Sequence, residues 1–300
     1  DARLTLEVAK TAHEHGGQLL NYVEVTDLLV TDGQCKGAHV RDVLSGTRWT
    51  VHAATVVNAA GPWVDDIRRK DVEPPSGKHL FHSKGIHLVL DRATLPVSQA
   101  VTLQPSDGRI VFVIPRERYT YVGTTDTEYN GDLHDLYPTR DDVDYLIGVL
   151  NEGFPSCTFN RNDVISTWTG VRPLIYEEGK KAGEISRSDE MMTSQTGLIS
   201  IAGGKLTAYR KMAERVVDHV VETLQKQGVV QHAKPCETLS TPLTGVKGIS
   251  HQYEAFLLEK AAELRERGFD DETAKRWVRT YGRHTDRVVQ LQDENGDQER

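Results

Sequence analysis

The sequence predicts an α/β framework, interrupted by an antiparallel α+β layer and followed by a helical tail. Three observations predict it. Two short apolar runs, residues 55–61 and 198–204, end in small residues, the pattern of a buried strand that delivers a tight loop. The stretch between them changes to hairpin-length strand patterns from about residue 86. Beyond about residue 250 the apolar spacing becomes helical.

Each element follows from local pattern. Residues 3–15 set Leu4, Val8, Ala9 and Ala12 on one helical face, and Gly16-Gly17 stops that helix. From Leu19 to Val30 the chain reads as extended, through Tyr22, Val23 and Val25. Residues 37–43, a Ser45-Gly46 turn and residues 48–53 read as a hairpin. The run from Thr55 to Gly61 is the first buried, parallel-type strand. Pro74-Pro75-Ser76-Gly77 reads as a linker. Residues 86–90, 110–115 and 119–124 are strand-like, with Arg116, Glu117 and Arg118 at one hairpin tip. Val143, Leu146, Ile147 and Leu150 mark an amphipathic helix, and residues 164–168 another strand. After the second buried run and Gly203-Gly204, one helix face carries Tyr209, Met212, Ala213, Val216, Val217, Val220 and Leu224. Residues 229–249 are loop-like, with Pro235 and Pro242. In the tail, Tyr253, Phe256, Leu257, Lys260, Ala261 and Leu264 form one stripe, and Ala274, Trp277, Val278 and Tyr281 another. The last eight residues are polar and read as a frayed end.

Composition narrows the function. The 300 residues carry 36 Lys+Arg against 44 Asp+Glu, a net charge of −8 that argues against a nucleic-acid binder held by bulk charge. At 38% hydrophobic and 27% charged residues, the chain is an ordinary soluble one with enough length for two domains. No apolar run approaches the roughly 20 residues of a spanning helix, and no signal peptide opens the sequence. Cys35, Cys157 and Cys236 form no Cys-x-x-Cys pair, so neither a zinc knuckle nor a dense disulfide framework is expected, and a reducing compartment is. The chain opens without methionine inside an apparent helix, so an internal fragment is expected.

Four segments can carry chemistry. In NAAGPWVDD, residues 58–66, small residues at a strand end let backbone amides approach a cofactor phosphate or ribose, or else form an ordinary tight connection. In GGKLTAYRK, residues 203–211, a strand, a Gly pair and a helix N-terminus favour partial negative charge, a flavin carbonyl or a phosphate; the alternative is a helix cap beside a solvated lysine. His87, near the start of a strand, is either a general base or a structural histidine. His79-x-x-His82 lacks a third ligand of matching character, so no metal site is expected. Arg172, Arg187 and Arg210 suit phosphate or carboxylate, or salt bridges to acidic residues.

NAAGPWVD, KGIHLVL, GTTD, TGVRPL and GGKLTAYRKMAE, in this order, resemble the FAD-dependent glycerol-3-phosphate dehydrogenases of the aerobic, quinone-linked type. The resemblance runs from residue 1 to about residue 215 and weakens through the helical tail. It implies a three-layer FAD-binding domain, present in part, with an inserted antiparallel substrate cap and a C-terminal helical domain. Residues 1–78 and 191–228 would belong to the FAD-binding domain, 79–190 to the cap and 229–300 to the helical domain. The family's N-terminal G-x-G-x-x-G, which holds the FAD pyrophosphate, has no counterpart in this sequence.

The resemblance also implies the chemistry. Glycerol 3-phosphate would be oxidised to dihydroxyacetone phosphate, with hydride passing to flavin N5 and electrons onward to quinone. His87 would be the base, Arg172 would hold the C2 oxygen, Arg187 the phosphate, and Lys205 the flavin edge or the substrate. Val25, Asn58, Ala59, Gly61, Trp63, Gly203, Gly204, Lys205, Leu206 and Thr207 would line the FAD. The protein would be cytoplasmic, with peripheral contact at the inner face of the membrane. Other readings are an oxidase of the same family that uses oxygen, a related hydroxy-acid or amino-acid flavoprotein, and a folded fragment that binds no flavin.

Overall fold

The computed structural model describes residues 2–72, 78–176 and 188–294. Two compact units emerge, one of Glu24–Gln231 and one that joins Asp1–Val23 to His232–Arg300.

The larger unit opens with a three-stranded meander, β1 (Val23–Thr31), β2 (Gln34–Asp42) and β3 (Arg48–His52). Asp32 and Gly33 both have positive φ, 52° and 72°, which suits a two-residue turn between right-twisted strands. β1 starts later than the extended reading from Leu19, because Tyr22 takes φ 57° and Leu19 and Leu20 stay exposed. β4 (Val57–Asn58) leads into a 3-10 turn, Gly61–Trp63, and α2 (Val64–Arg68). The linker expected at residues 74–77 lies outside the described residues.

A six-stranded antiparallel sheet follows. Its strands are β5 (Leu80–Asp91), β6 (Val101–Leu103), β7 (Val111–Arg116), β8 (Tyr119–Gly123), β9 (Thr127–Glu128) and β10 (Val164–Ile175). Their order is β10-β5-β8-β7-β6, with β9 also on β5. Ile86, Leu88 and Leu90 project from one face of β5 into a core with Val111, Val113, Val122 and the helix α3 (Arg140–Gly153), which contributes Leu146 and Leu150. Each such side chain contributes about 1.5–3 kcal/mol by leaving water.

Lys84 points into the same core face, an unusual place for a charge. It is satisfied by Asp142, whose Oδ2 lies 2.6 Å from Nζ. Asp142 also completes the capping box of α3: it accepts from Thr139 N at 2.8 Å, while its own N–H donates to Thr139 Oγ1 at 3.2 Å. One carboxylate therefore starts the helix and ties it to the sheet.

β11 (Asp189–Thr193) and β12 (Ile199–Gly203) return the chain to β4, in the order β11-β12-β4. β12 runs parallel to β4, with Ile199 opposite Val57 and Ser200 opposite Asn58. β4 is only two residues long, and as the edge strand it buries Asn58 but leaves Val57 exposed. A 3-10 turn at Leu206–Ala208 leads into α4 (Tyr209–Lys226). The helix forms where the spacing predicts, yet of its apolar stripe only Val216 is buried among the described residues.

In the smaller unit, α1 (Ala2–Glu14) packs on a 3-10 turn at Thr244–Val246. Glu7 is buried there and accepts from Gly245 N at 2.7 Å, with Arg3 and Lys10 as its cationic partners. α5 (Tyr253–Glu266), α6 (Asp271–Tyr281) and α7 (Thr285–Glu294) share a core of Leu257, Ala261, Leu264, Ala274, Val278 and Val289. Asp270 caps α6 by accepting from Thr273 N at 2.9 Å. Among the described residues, no helix is long and apolar enough to cross a membrane.

Removing one partner of the buried pair strands the other charge. Asp142→Ala should lower unfolding free energy by about 3–5 kcal/mol in denaturant titration. Replacing both partners, Lys84→Met with Asp142→Leu, should recover most of that loss.

Candidate active site

Two of the candidate residues, His87 and Arg172, lie on the face of the six-stranded sheet opposite its core. Side chains alternate along a strand, so Ser83, Gly85 and His87 of β5 share one face. On β10, Trp168, Gly170 and Arg172 share one in the same way. Antiparallel register sets Trp168 opposite His87, Gly170 opposite Gly85 and Arg172 opposite Ser83. On the other side of β5, Gly123 of β8 lies opposite His87.

At two of these glycines the His87 or Arg172 side chain lies where a Cβ would stand. A Cβ on Gly123 would stand 2.6 Å from His87 Cγ and Nε2. A Cβ on Gly85 would stand 2.6 Å from both terminal nitrogens of Arg172. The imidazole and the guanidinium thus lie low, over bare backbone.

His87 stacks on Trp168, with ring centroids 4.7 Å apart and planes 11° apart. Tyr121 of β8 meets the same indole edge-on at 4.9 Å. No hydrogen bond to either imidazole nitrogen is present among the described residues, and Nδ1 is buried without a partner. Burial holds the His87 pKa below the ordinary histidine value, and the Arg172 charge lowers it further. The ring is therefore neutral near pH 7, with a lone pair to offer.

Arg172 is aimed by three consecutive residues. Nη2 donates to Thr124 Oγ1 at 3.1 Å, Nη1 to the Thr125 carbonyl at 3.3 Å, and Nη1 lies 3.5 Å from Asp126 Oδ1. Ser83 in turn donates to Asp126. Arg187 lies outside the described residues. Arg210 pairs with Glu214 one turn along α4, at 2.6 Å.

The loop after β4 and the Gly pair meet the end of β10. The 3-10 turn Gly61–Trp63 packs against both β10 and β12, and a Cβ on Gly203 would lie 3.5 Å from Ile175. Asn58 is buried and internally paired: Nδ2 donates to the Val64 carbonyl at 2.9 Å and to Ser200 Oγ at 3.2 Å, while Oδ1 accepts from Ala60 N at 3.3 Å. It shapes the loop from inside, while Ala59 is exposed. Trp63 tilts over His134 at 5.4 Å and walls a cleft of about 380 Å³ with Asp66, His82 and residues 130–134. Val25 is half-buried on β1, in a different sheet.

The loop and the turn suit a polar, planar group. Gly61 has φ 56°, and no described heavy atom lies within 4 Å of where its Cβ would stand. Gly203 and Gly204 have φ 76° and 83°, and side chains there would strike the Ser188 carbonyl and Met212. Lys205, Leu206 and Thr207 are exposed. The first-turn N–H groups of Leu206 and Thr207 have no intrahelical acceptor, and neither Lys205 nor Ala208 caps with its side chain. The arrangement offers donors and a positive helix end to carbonyl oxygens.

His79 stacks on Tyr176 at 4.5 Å, and His82 Nε2 lies 2.9 Å from the Pro62 carbonyl, so the two histidines serve separate contacts. Among the described residues no group of three or more His, Cys, Asp or Glu is arranged to hold a metal ion.

Ser83, Thr124, Asp126, Trp168 and the three sheet glycines carry no role in the sequence reading. The signal for four of them is present as two-residue spacing, Ser83-x-Gly85-x-His87 and Trp168-x-Gly170-x-Arg172. It becomes meaningful only when the register pairs the two strands.

Comparison with known proteins adds a family. The family model described as FAD dependent oxidoreductase matches residues 1–210. The aerobic glycerol-3-phosphate dehydrogenase of Bacillus subtilis (strain 168) is 47% identical over 289 residues, 96% of this chain and 52% of that protein. The protein of the same name from Staphylococcus haemolyticus (strain JCSC1435) is 42% identical over 294 residues, 97% of this chain and 52% of that protein. A crystal structure of the glycerol-3-phosphate dehydrogenase from Bacillus halodurans complexed with FAD superposes with TM-score 0.85 at 42% identity, covering 96% of this chain and 55% of that one. The chain spans about half the length of the curated relatives it matches.

Imidazole titration followed by NMR tests the electrostatics of the site. His87 should titrate below the ordinary histidine value, and Arg172→Gln should move it upward by removing a neighbouring positive charge.

Proposed function

This chain belongs to the FAD-dependent oxidoreductase family, and on that premise we propose that the protein oxidises sn-glycerol 3-phosphate to dihydroxyacetone phosphate. The observation that carries the reading is the unpartnered His87 imidazole beside the aimed Arg172 guanidinium on an open, glycine-lined sheet face. The names of relatives 42–47% identical over nearly the whole chain support it.

When bound, FAD supplies the two-electron acceptor for the C2–H bond. His87 accepts the C2 hydroxyl proton, which its depressed pKa allows at neutral pH. Arg172 holds the C2 oxygen and stabilises the negative charge that grows there as the proton leaves. Thr124, Thr125 and Asp126 fix the direction of that guanidinium, so its ordering precedes substrate arrival. Arg187 takes the phosphate dianion through parallel hydrogen bonds. Lys205 serves the flavin edge or the substrate.

In this reading, Ala59, Gly61 and Trp63 line the cofactor on a loop that Asn58 braces. Gly203, Gly204, Leu206 and Thr207 would hold the ring system of the cofactor through backbone donors, and Val25 would contact its adenine through backbone. Residues 1–78 and 191–228 form the FAD-binding part, 79–190 the substrate cap and 229–300 the helical domain. Electrons leave to a quinone, which requires peripheral contact at the cytoplasmic face of the membrane. Transfer to oxygen is the competing route, and peroxide yield measured beside quinone reduction separates the two.

His87→Ala in the full-length protein should cut turnover by about 10²–10⁴-fold while FAD content is retained. Undiminished turnover would remove the base assignment. Arg187→Ala should weaken glycerol 3-phosphate far more than free glycerol, and equal losses on both would remove the phosphate assignment.

A further inference from the structure

Gly170 occupies the middle of β10, where a glycine weakens a strand and needs a reason. Three ordinary reasons fail. Its φ is not positive, so no left-handed backbone calls for it. The register through Gly170 and Gly85 is regular, and the one irregularity of the β10–β5 pairing falls between Val164 and Ser166, so no bulge explains it. No close packing explains it either, since no described heavy atom lies within 4 Å of its absent Cβ.

Gly85 and Gly123 differ in this respect, because Arg172 and His87 fill the space above them. The bare spot at Gly170 lies on the same face as Trp168 and Arg172, two residues away on either side, or about 6.6 Å along the strand. Its cross-strand neighbour Gly85 carries the Arg172 guanidinium. The gap is flanked along β10 by Trp168 and the stem of Arg172, and toward β5 by the guanidinium over Gly85, while the His87 ring lies one strand further on, over Gly123 of β8.

We infer that Gly170 is a specificity-determining residue: its missing side chain is the floor on which one end of a short phosphorylated alcohol lies, beside the Arg172 guanidinium. This rests on the functional reading above. A methyl group there would stand in the volume that the substrate carbons occupy, while the protein itself would lose nothing by its presence.

The test uses the full-length, FAD-loaded protein with Gly170→Ala and Gly170→Val. Gly148→Ala on α3, where a Cβ also meets nothing within 4 Å among the described residues, serves as a control outside the site. Flavin absorbance and thermal midpoint report folding, calorimetry reports glycerol 3-phosphate binding, and steady-state rates report kcat/KM. Gly170→Ala should keep flavin and midpoint but lose about tenfold in substrate affinity and kcat/KM, and Gly170→Val about 100-fold or more, the scale of one or two misplaced methyl groups in a site. Gly148→Ala should change neither. Affinity within twofold of wild type in both Gly170 variants overturns the inference, as does a matching loss of thermal midpoint and flavin. A wild type that binds glycerol 3-phosphate without oxidising it removes the functional reading and leaves the floor to be decided by affinity. A wild type that does not bind it overturns both.

Discussion

The antiparallel register of β5 against β10 is the constraint on which the site depends. Eleven cross-strand pairs run from Val164–Leu90 to Ile175–Leu80, and they set Trp168, Gly170 and Arg172 opposite His87, Gly85 and Ser83. Side-chain alternation has a period of two, so a slip of one residue would turn Arg172 and Trp168 to the opposite face. The core fixes which face of β5 turns inward, and so the face on which β10 must set its site residues. Ile86, Leu88 and Leu90 are fully or nearly fully buried on the inward face, and exposing them would cost several kcal/mol in total.

The site divides between two kinds of support. The sheet supplies rigid, short-range order for the imidazole and the guanidinium. The loop after β4 and the turn after β12 supply backbone donors, and they are held by the parallel pairing of Asn58 with Ser200 and by the buried Asn58 amide. The loop and the turn meet the C-terminal end of β10 at Ile175. This arrangement separates the residues proposed to handle substrate from those proposed for the cofactor, while one strand connects them.

Much of the fold is legible in the sequence where one periodicity dominates. The stripe from Val143 to Leu150 gives α3, and the stripes after residue 250 give α5 and α6, because each buries one continuous face. The full length of β5 and β10 is harder to read. Ser83, Lys84 and Gly85 break the alternation of β5, and the partner that makes Lys84 acceptable lies 58 residues away. The α4 stripe shows the opposite case: the period is clear, but what would cover it is not a local property. At the site, His87 and Arg172 are visible as residue types within motifs. The Trp168 stack, the Thr124–Asp126 cradle and the roles of the sheet glycines depend on long-range pairing, which no local pattern encodes.

In the proposed reaction, the open face between His87 and Arg172 receives the reacting carbon of the substrate. A crystal structure of the full-length protein with FAD and glycerol 3-phosphate bound under anaerobic conditions measures this directly. The C2 oxygen should lie about 2.6–3.2 Å from a ring nitrogen of His87, with the Arg172 guanidinium on its other side and one end of the carbon chain reaching Gly170. A ligand bound elsewhere, with His87 still touching only Trp168 and the protein around it, would contradict it.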